Sequence, residues 1–351
     1  MNTHTTSQGI TTYRTAESVS PGHPDKLCDQ ISDAILDAYF AEDPKSRVAV
    51  EVCGGHGQVF VTGEVTSTAK NVDIEKIVHR LAGNDMKVMS NLVKQSPEIA
   101  QGVDTGGAGD QGIMIGYACD ETPELLPREV VLSRRLNQYI YKKHPYDGKT
   151  QVTLKLQDDG TYELDSVVAS FQNVSRAGLD KLVREFIKNE KLPGDPELHL
   201  NPAGDWNQGG FEADTGLTGR KLIVDNYGPR IPIGGGAFSG KDPSKVDRSA
   251  AYMARRIAVD YLRARGAHEV FVRLAYAIGH DQPLERTVIV DGVAEQIPLI
   301  DNPKPSDNEN NTITGYNLTP RDIIEYLDLL RPVYEPSARY GHFGEGFDWD
   351  K

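Results

Sequence analysis

Residues 234–247, GGGAFSGKDPSKVD, hold three consecutive glycines, then Gly240 and Lys241, then Lys245 and Asp247, directly ahead of a stretch with helical spacing. Glycines let a backbone approach a ligand closely, and a helix N-terminus offers unpaired N–H groups to an anion. Gly235, Gly240 and Lys241 match the G-x-x-x-x-G-K spacing of a phosphate loop. However, Asp242 stands where Mg²⁺ coordination wants Ser or Thr, and Gly228, Pro229 and Pro232 interrupt the strand that should lead in. The stretch is not a Walker loop. It reads either as a surface loop with scattered lysines or as a phosphate site of another architecture.

A second cluster lies at residues 18–26, SVSPGHPDK, where His23, Asp25 and Lys26 fall within four residues at a helix start. Singly, Asp25 is an ordinary first-turn acid favoured by the helix dipole, and His23 an ordinary loop histidine. Together with the lysine-rich helix start at 241–245, they suggest a Mg²⁺–phosphate site, with Asp for the hard cation and Lys and His for phosphate oxygens. Charge distribution points the same way. The chain carries a formal net charge of −13, yet residues 220–248 hold six Lys/Arg (Arg220, Lys221, Arg230, Lys241, Lys245, Arg248) against three Asp. A basic island in an acidic chain suits a small polyanion, whereas the acidic total argues against a nucleic-acid or anionic-membrane surface.

These residues need elements to hold them, and the chain shows one pattern three times: a long amphipathic helix, two alternating strands about a turn, and a closing helix. In the first unit, Leu27, Ile31, Ala34, Ile35, Ala38 and Tyr39 recur at helical spacing. Strands follow at Val48, Val50, Val52 and at Val59, Val61 about a turn at 54–57, then a helix over 72–81. The second unit has a helix over 127–141, with Pro127 suited to a first turn, strands at 152–156 and 162–171 turned by Asp158, Asp159 and Gly160, and a helix over 179–189. The third has a helix over 246–265, strands at 270–274 and 287–290, and a helix over 319–330. The repeat predicts an α+β fold of three similar sheet-plus-helices domains, over 12–104, 108–213 and 214–349.

The totals are compatible with this. The chain has 351 residues, 38% hydrophobic and 25% charged, enough for two or three modules with a sizeable core. No apolar run approaches the roughly 18 residues of a membrane span, and the polar N-terminus is unlike a signal peptide. Cys28, Cys53 and Cys119 lie far apart with no C-x-x-C, which suits a reducing cytoplasm and excludes a zinc site of that spacing.

Four motifs in order, GHPDK at 22–26, GGAGDQG at 106–112, GLTGRK at 216–221 and the glycine-rich stretch at 234–247, resemble those of the S-adenosylmethionine synthetases (methionine adenosyltransferases). The similarity runs over about 13–349. It implies three domains related by pseudo-threefold symmetry, and a homodimer with active sites shared at its interface, commonly doubled to a homotetramer. The implied reaction joins ATP and L-methionine. The sulfur attacks C5′ and expels the triphosphate, which is then hydrolysed to pyrophosphate and phosphate. Two Mg²⁺ per active site and K⁺ are the implied cofactors. By motif, His23 lies beside the ribose O5′ and stabilises the departing oxygen, Asp25 and Asp247 hold Mg²⁺, and Lys149, Arg220, Lys221 and Lys241 clasp the polyphosphate. Glu17 and Asp147 match nucleotide positions, and Asp205 and Trp206 the adenine end of that site. Glu51 matches the K⁺ ligand, Glu64 and Gln101 methionine positions, and Asp214 a position shared by both substrates. Lys245 falls at the same substrate site, and Ala237 and Ile278 line its pocket. Without the resemblance, Glu51 and Glu64 read as solvent-facing strand glutamates.

The residue types make chemical sense. A thioether sulfur has a lone pair and no proton to lose, so the reaction needs no general base. The difficulty is the leaving group, which gathers negative charge, and preorganised cations lower that barrier. Two departures stand out. The lid expected over 101–110 is a few residues shorter than in bacterial members of the family, and Asp205 and Trp206 replace a common Arg-Phe pair. Two rivals are a tripolyphosphatase without a methionine site and a catalytically silent regulatory subunit. The filled methionine positions Glu64, Gln101 and Asp214 argue against the first, and the retained His23, Lys149, Arg220 and Lys241 against the second.

Overall fold

The structure, a computed structural model, describes residues 12–95, 107–157, 159–304, 308 and 312–350. In the first unit, β1 (Thr12–Val19) leads into α1 (Pro24–Glu42), the hairpin β2 (Arg47–Gly55) and β3 (Gln58–Thr66), α2 (Ile74–Ala82) and β4 (Lys87–Val93). The second repeats that order with β5 (Gly112–Cys119), α3 (Arg128–Tyr141), β6 (Gly148–Leu156), β7 (Tyr162–Phe171), α4 (Arg176–Glu190) and β8 (Glu197–Leu200). The third runs β9 (Gly216–Leu217), the single turn α5 (Leu222–Asp225), α6 (Val246–Arg265), β10 (Glu269–Tyr276), β11 (Glu285–Val290), β12 (Val293–Gln296) and α7 (Pro320–Tyr326).

Among the described residues the fold is α+β with three four-stranded sheets, and each sheet takes one strand from another unit. Strand β1 adds antiparallel to β6 rather than to its own hairpin, from Thr12 opposite Leu156 to Val19 opposite Lys149. Strand β5 adds in the same way to β10, and β9 to β2. Each unit thus passes its first strand to the next, and the third passes its own back to the first, so the exchange closes on itself. The last strand is parallel to the hairpin in the first two sheets and antiparallel in the third. Sequence reading placed the hairpins and helices but not these exchanged strands.

The helices cover the seams. Helix α1 packs on β2 and β9, α3 on β1 and β6, and α6 on β5 and β10, so each lies across the join between a hairpin and its borrowed strand. The first hairpin alternates cleanly: Val48, Val50, Val52, Val59 and Val61 are buried under α1, while Glu51, Cys53, Phe60 and Glu64 face outward. Its two-residue turn has His56 at φ 50° and Gly57 at φ 78°, the paired positive values of a type I′ turn. Of the second hairpin's expected turn residues, Asp158 lies outside the described residues. The first and third sheets share one apolar core, and the second has its own beneath α3 and α4. No helix among the described residues is long and apolar enough to cross a membrane.

Candidate active site

Strand exchange brings the chemical residues together. Strand β1 delivers the 20–23 turn to the start of β6, where Ser20 N–H donates to the Gly148 carbonyl (2.8 Å) and Ser20 Oγ to the Tyr146 carbonyl (2.8 Å). A Cβ on Gly22 would stand 3.0 Å from the Asp147 main chain, so any larger residue would push the two segments apart by a few tenths of an ångström. Helix α1 then starts with Pro24 in its first turn, which needs no N–H donor, and with His23 as its N-cap. His23 Nδ1 accepts the Asp25 N–H at 3.2 Å. Lys149 and Glu17 lie on the same face of the β1/β6 pair, 3.6 Å apart. The Asp147 carboxylate accepts the Gly210 N–H at 2.9 Å.

The turn after β9 closes the other side. Asp25 Oδ1 accepts the Leu217 N–H (3.0 Å), its Oδ2 meets Lys221 Nζ at 2.5 Å, and Arg220 Nε stands 3.6 Å from the same carboxylate. A Cβ on Gly216 would strike the Pro24 carbonyl, which is why the GLTGRK turn begins with glycine. Burial raises the Asp25 pKa, but the Lys221 hydrogen bond, the Leu217 amide and the Lys221 charge outweigh it, and the carboxyl titrates below its usual range. Burial and the ammoniums of Lys221 and Lys149 push His23 down to about 4, against Asp25 and Asp214. His23 is therefore a neutral imidazole near pH 7. With Nδ1 accepting from Asp25, its proton is on Nε2, a donor without a formal charge of its own.

The glycine-rich stretch runs alongside. A Cβ on Gly234 would strike the Ile113 carbonyl, and one on Gly240, at φ 80°, the Val50 carbonyl. Lys241 Nζ meets Asp247 Oδ2 at 2.7 Å at the first turn of α6. A cavity of about 270 Å³ lies between this stretch and the outer face of the first hairpin, lined by Glu51, Glu64, Thr218, Ala237, Ser239 and Lys241. In the β2/β3 register Glu51 lies opposite Thr62 and Glu64 opposite Ala49, so both glutamates share one face. A Cβ on Gly219 would meet Ala237, so the Arg220 turn and this cavity adjoin.

Most of the expected residues are thus gathered. His23, Asp25, Asp147, Lys149, Glu17, Asp214, Arg220 and Lys221 form one part of the site, and Glu51, Glu64, Ala237, Lys241 and Asp247 the adjoining part. Trp206 joins the first: its indole N–H donates to Ser170 Oγ (3.1 Å) on the strand residue facing Lys149, and its ring flanks Gly209, next to the Gly210 that binds Asp147. Asp205 turns away, accepting the Arg176 N–H (2.8 Å) at the start of α4 and the Asn201 amide (3.0 Å). The Lys245 ammonium pairs with Asp242, whose carboxylate accepts the Val48 N–H at 2.8 Å, so it fastens the stretch to β2. Ile278 is 61% exposed in the loop after β10, where the Ala108 carbonyl accepts the Gly279 N–H and the Ala108 N–H donates to the His280 carbonyl, and it does not meet the other expected residues among the described ones. Gln101 and most of the expected lid lie outside the described residues. Sequence reading missed Ser239, whose buried hydroxyl has no hydrogen-bond partner among the described residues and which lines the same cavity as Glu51.

The donor atoms suit hard cations. Asp25 and Asp247 are single carboxylates with free lone pairs beside the Arg220, Lys221 and Lys241 cations, and Mg²⁺ is commonly held by one or two carboxylates plus substrate phosphates. No cluster of three or more His, Cys, Asp or Glu that could cage a metal occurs among the described residues. The Glu51 carboxylate and the unpartnered Ser239 hydroxyl supply oxygen donors of the kind K⁺ takes.

Three family models match the chain in order: S-adenosylmethionine synthetase, N-terminal domain, over 11–87; central domain, over 105–206; and C-terminal domain, over 208–351. The chain is 43% identical to the S-adenosylmethionine synthase of Myxococcus xanthus (strain DK1622) over 375 residues, covering 96% of this chain and 92% of that protein. It is also 43% identical to the S-adenosylmethionine synthase of Treponema denticola over 380 residues, covering 97% of this chain and 95% of that one. With three domain models in register and near full-length identity at this level, the chain belongs to the S-adenosylmethionine synthetase family.

Proposed function

We infer that the gathered site carries out the reaction of its family. As a methionine adenosyltransferase, the chain makes S-adenosylmethionine from ATP and L-methionine. One observation carries the assignment of roles: Arg220, Lys221 and the neutral His23 converge on Asp25, and Lys241 meets Asp247 in the adjoining part of the same site. This is a cationic bank with a carboxylate at each end, the arrangement that a triphosphate with bound divalent cations fits.

In the reaction, the methionine sulfur lone pair forms the S–C5′ bond while the C5′–O5′ bond breaks. The electron pair leaves with the triphosphate, and the sulfur becomes a sulfonium. No proton moves. The Nε2–H of His23 donates to the departing O5′, and Lys149, Arg220, Lys221 and Lys241 balance the charge that gathers on the triphosphate. The same cations then hold it for hydrolysis to pyrophosphate and phosphate. Mg²⁺, two per site and held through Asp25 and Asp247, would neutralise phosphate charge, and K⁺ would sit at Glu51 with Ser239. Glu17, Asp147 and Trp206 bind the nucleoside end, with the indole offering a stacking face. Glu64, Gln101 and Asp214 bind methionine.

A second copy completes the site. The face that carries Glu51 and Glu64 also exposes Phe60, Met89, Val93 and Leu217, an apolar strip that a homodimer would cover while supplying the groups this chain leaves apart, such as Ile278. Pairs of dimers would give the homotetramer. The three units 12–104, 108–213 and 214–349 are the members of the cyclic exchange. Three free thiols, Cys28, Cys53 and Cys119, support a cytoplasmic location. The test is incubation with ATP, Mg²⁺, K⁺ and methyl-labelled methionine: label recovered in a cationic sulfonium product supports the reading, and label remaining only in methionine contradicts it.

A further inference from the structure

Helix α1 carries Asp25, Asp29, Asp33 and Asp37, each four residues after the last. Like charges at this spacing are adjacent on a helix and repel, and Asp25, Asp29 and Asp33 are also buried. Every one of the four accepts a main-chain N–H from a distant segment. Asp25 takes Leu217 (3.0 Å), Asp29 takes Gly219 (2.8 Å), Asp33 takes Gly240 (2.8 Å), and Asp37 takes Tyr334 (3.0 Å) and Glu335 (2.8 Å). The two middle carboxylates do not face the cavity. Each anchors the residue directly before a polyphosphate cation: Gly219 precedes Arg220, and Gly240 precedes Lys241.

Two details separate this from ordinary packing. Gly219 and Gly240 have φ of 77° and 80°, so both loops turn through a left-handed residue at the anchored position. Each anchor also has its own buried cation. Lys26 bridges Asp29 (3.1 Å) and Asp225 (2.5 Å), and Arg248 grips Asp33 through both terminal nitrogens (2.6 and 2.8 Å). Each anchoring carboxylate thus has a buried cation of its own, distinct from Arg220, Lys221 and Lys241, which pair instead with the site carboxylates Asp25 and Asp247.

We propose that Asp29 and Asp33 are positioning residues that pin the main chain at Gly219 and Gly240, so that Arg220, Lys221 and Lys241 stand in place before ATP binds. The inference rests on the polyphosphate role given to those cations. One helix, beginning at His23 and Asp25, then sets the spacing of both loops, and little reorganisation is left for the moment of reaction.

The test uses the full chain with Mg²⁺ and K⁺. Asp29→Ala removes the acceptor, whereas Asp29→Asn keeps an oxygen for the Gly219 N–H. The expected result is a fall in kcat/KM for ATP of roughly 10- to 100-fold per folded protein in Asp29→Ala, with KM for methionine within about twofold and Asp29→Asn within about threefold of the parent. Equal behaviour of the two variants, or an Asp29→Ala protein that loses only thermal stability, overturns the proposal. Hydrogen exchange on the unaltered, ligand-free protein decides without any variant: Gly219 and Gly240 N–H groups should be protected at least about 100-fold, and exchange at unprotected rates overturns it. Lys221→Met, assayed alongside, separates the two readings, because full activity there defeats the polyphosphate assignment itself.

Discussion

Lys221 and Asp25 lie 196 positions apart in the chain and meet at 2.5 Å. The cation assigned to the triphosphate and the carboxylate assigned to Mg²⁺ thus hold each other in place in the ligand-free protein. Substrate binding must redistribute both, which is why the site reads as preorganised and also as poised to exchange partners. Replacing Lys221 by Met should lower kcat/KM for ATP by roughly 10²–10³-fold, the range for removing one group that stabilises a developing oxyanion. Steady-state rates of S-adenosylmethionine formation check this, and a change below about threefold would contradict the assignment.

Lys241 offers the cleaner contrast between activity and stability. Its pairing with Asp247 is partly solvated, and such pairs contribute about 0–1 kcal/mol. Lys241→Met should therefore cut turnover by roughly 100-fold while shifting Tm by no more than a few degrees. Full retained turnover would remove the phosphate role given to this loop, and a large Tm loss would show that the pair is mainly structural.

Asp205 and Trp206 are adjacent but predicted to act on different quantities. The Asp205 carboxylate accepts the Arg176 N–H at the first turn of α4, an N-terminal position where an acid contributes about 1 kcal/mol. Asp205→Arg should lower Tm and change KM for ATP by less than Trp206→Ala does. Kinetics and calorimetry on the two variants decide, and a larger ATP effect at Asp205 would return that position to the nucleotide site.

Asp37 gives a pH prediction. Burial, aided by the nearby Asp33 charge, pushes its pKa up to about 6, in spite of the Glu335 and Tyr334 amides and the Arg248 charge. The folded protein then binds more protons than the unfolded chain between about pH 4 and 6, so this group's contribution is complete at the acid end and lost as pH rises through 6. The Tm of the parent relative to Asp37→Asn should be most favourable near pH 4 and decline toward pH 7. A difference that grows with pH would show the carboxylate to be stabilised in its charged form.

The parts that sequence made legible are those with strong local signals. The apolar spacing from Val246 to Tyr261 placed α6 over 246–265, and alternating valines placed β2 and β3, because these patterns arise from each element's own buried face. Two of the exchanged strands had no such signal, since β9 is two residues long and β1 reads TYRTAESV, mostly polar on its outer face, while the third, β5, reads GIMIGYAC, an apolar run without alternation. The aspartates of α1 were visible at spacing four. Acids at that spacing read as a solvated helix face, and only the loops at 217–219, 240 and 334–335 bury them. The roles of Glu51 and Glu64 likewise needed the glycine-rich stretch brought opposite them.

In this reading one site both transfers the adenosyl group and holds the expelled triphosphate. The most direct measurement is a single incubation with ATP, Mg²⁺ and K⁺, with and without L-methionine, that quantifies S-adenosylmethionine, pyrophosphate and phosphate together. Equal amounts of all three, each dependent on methionine, are expected. Phosphate release indifferent to methionine, with no sulfonium product, would contradict that reading.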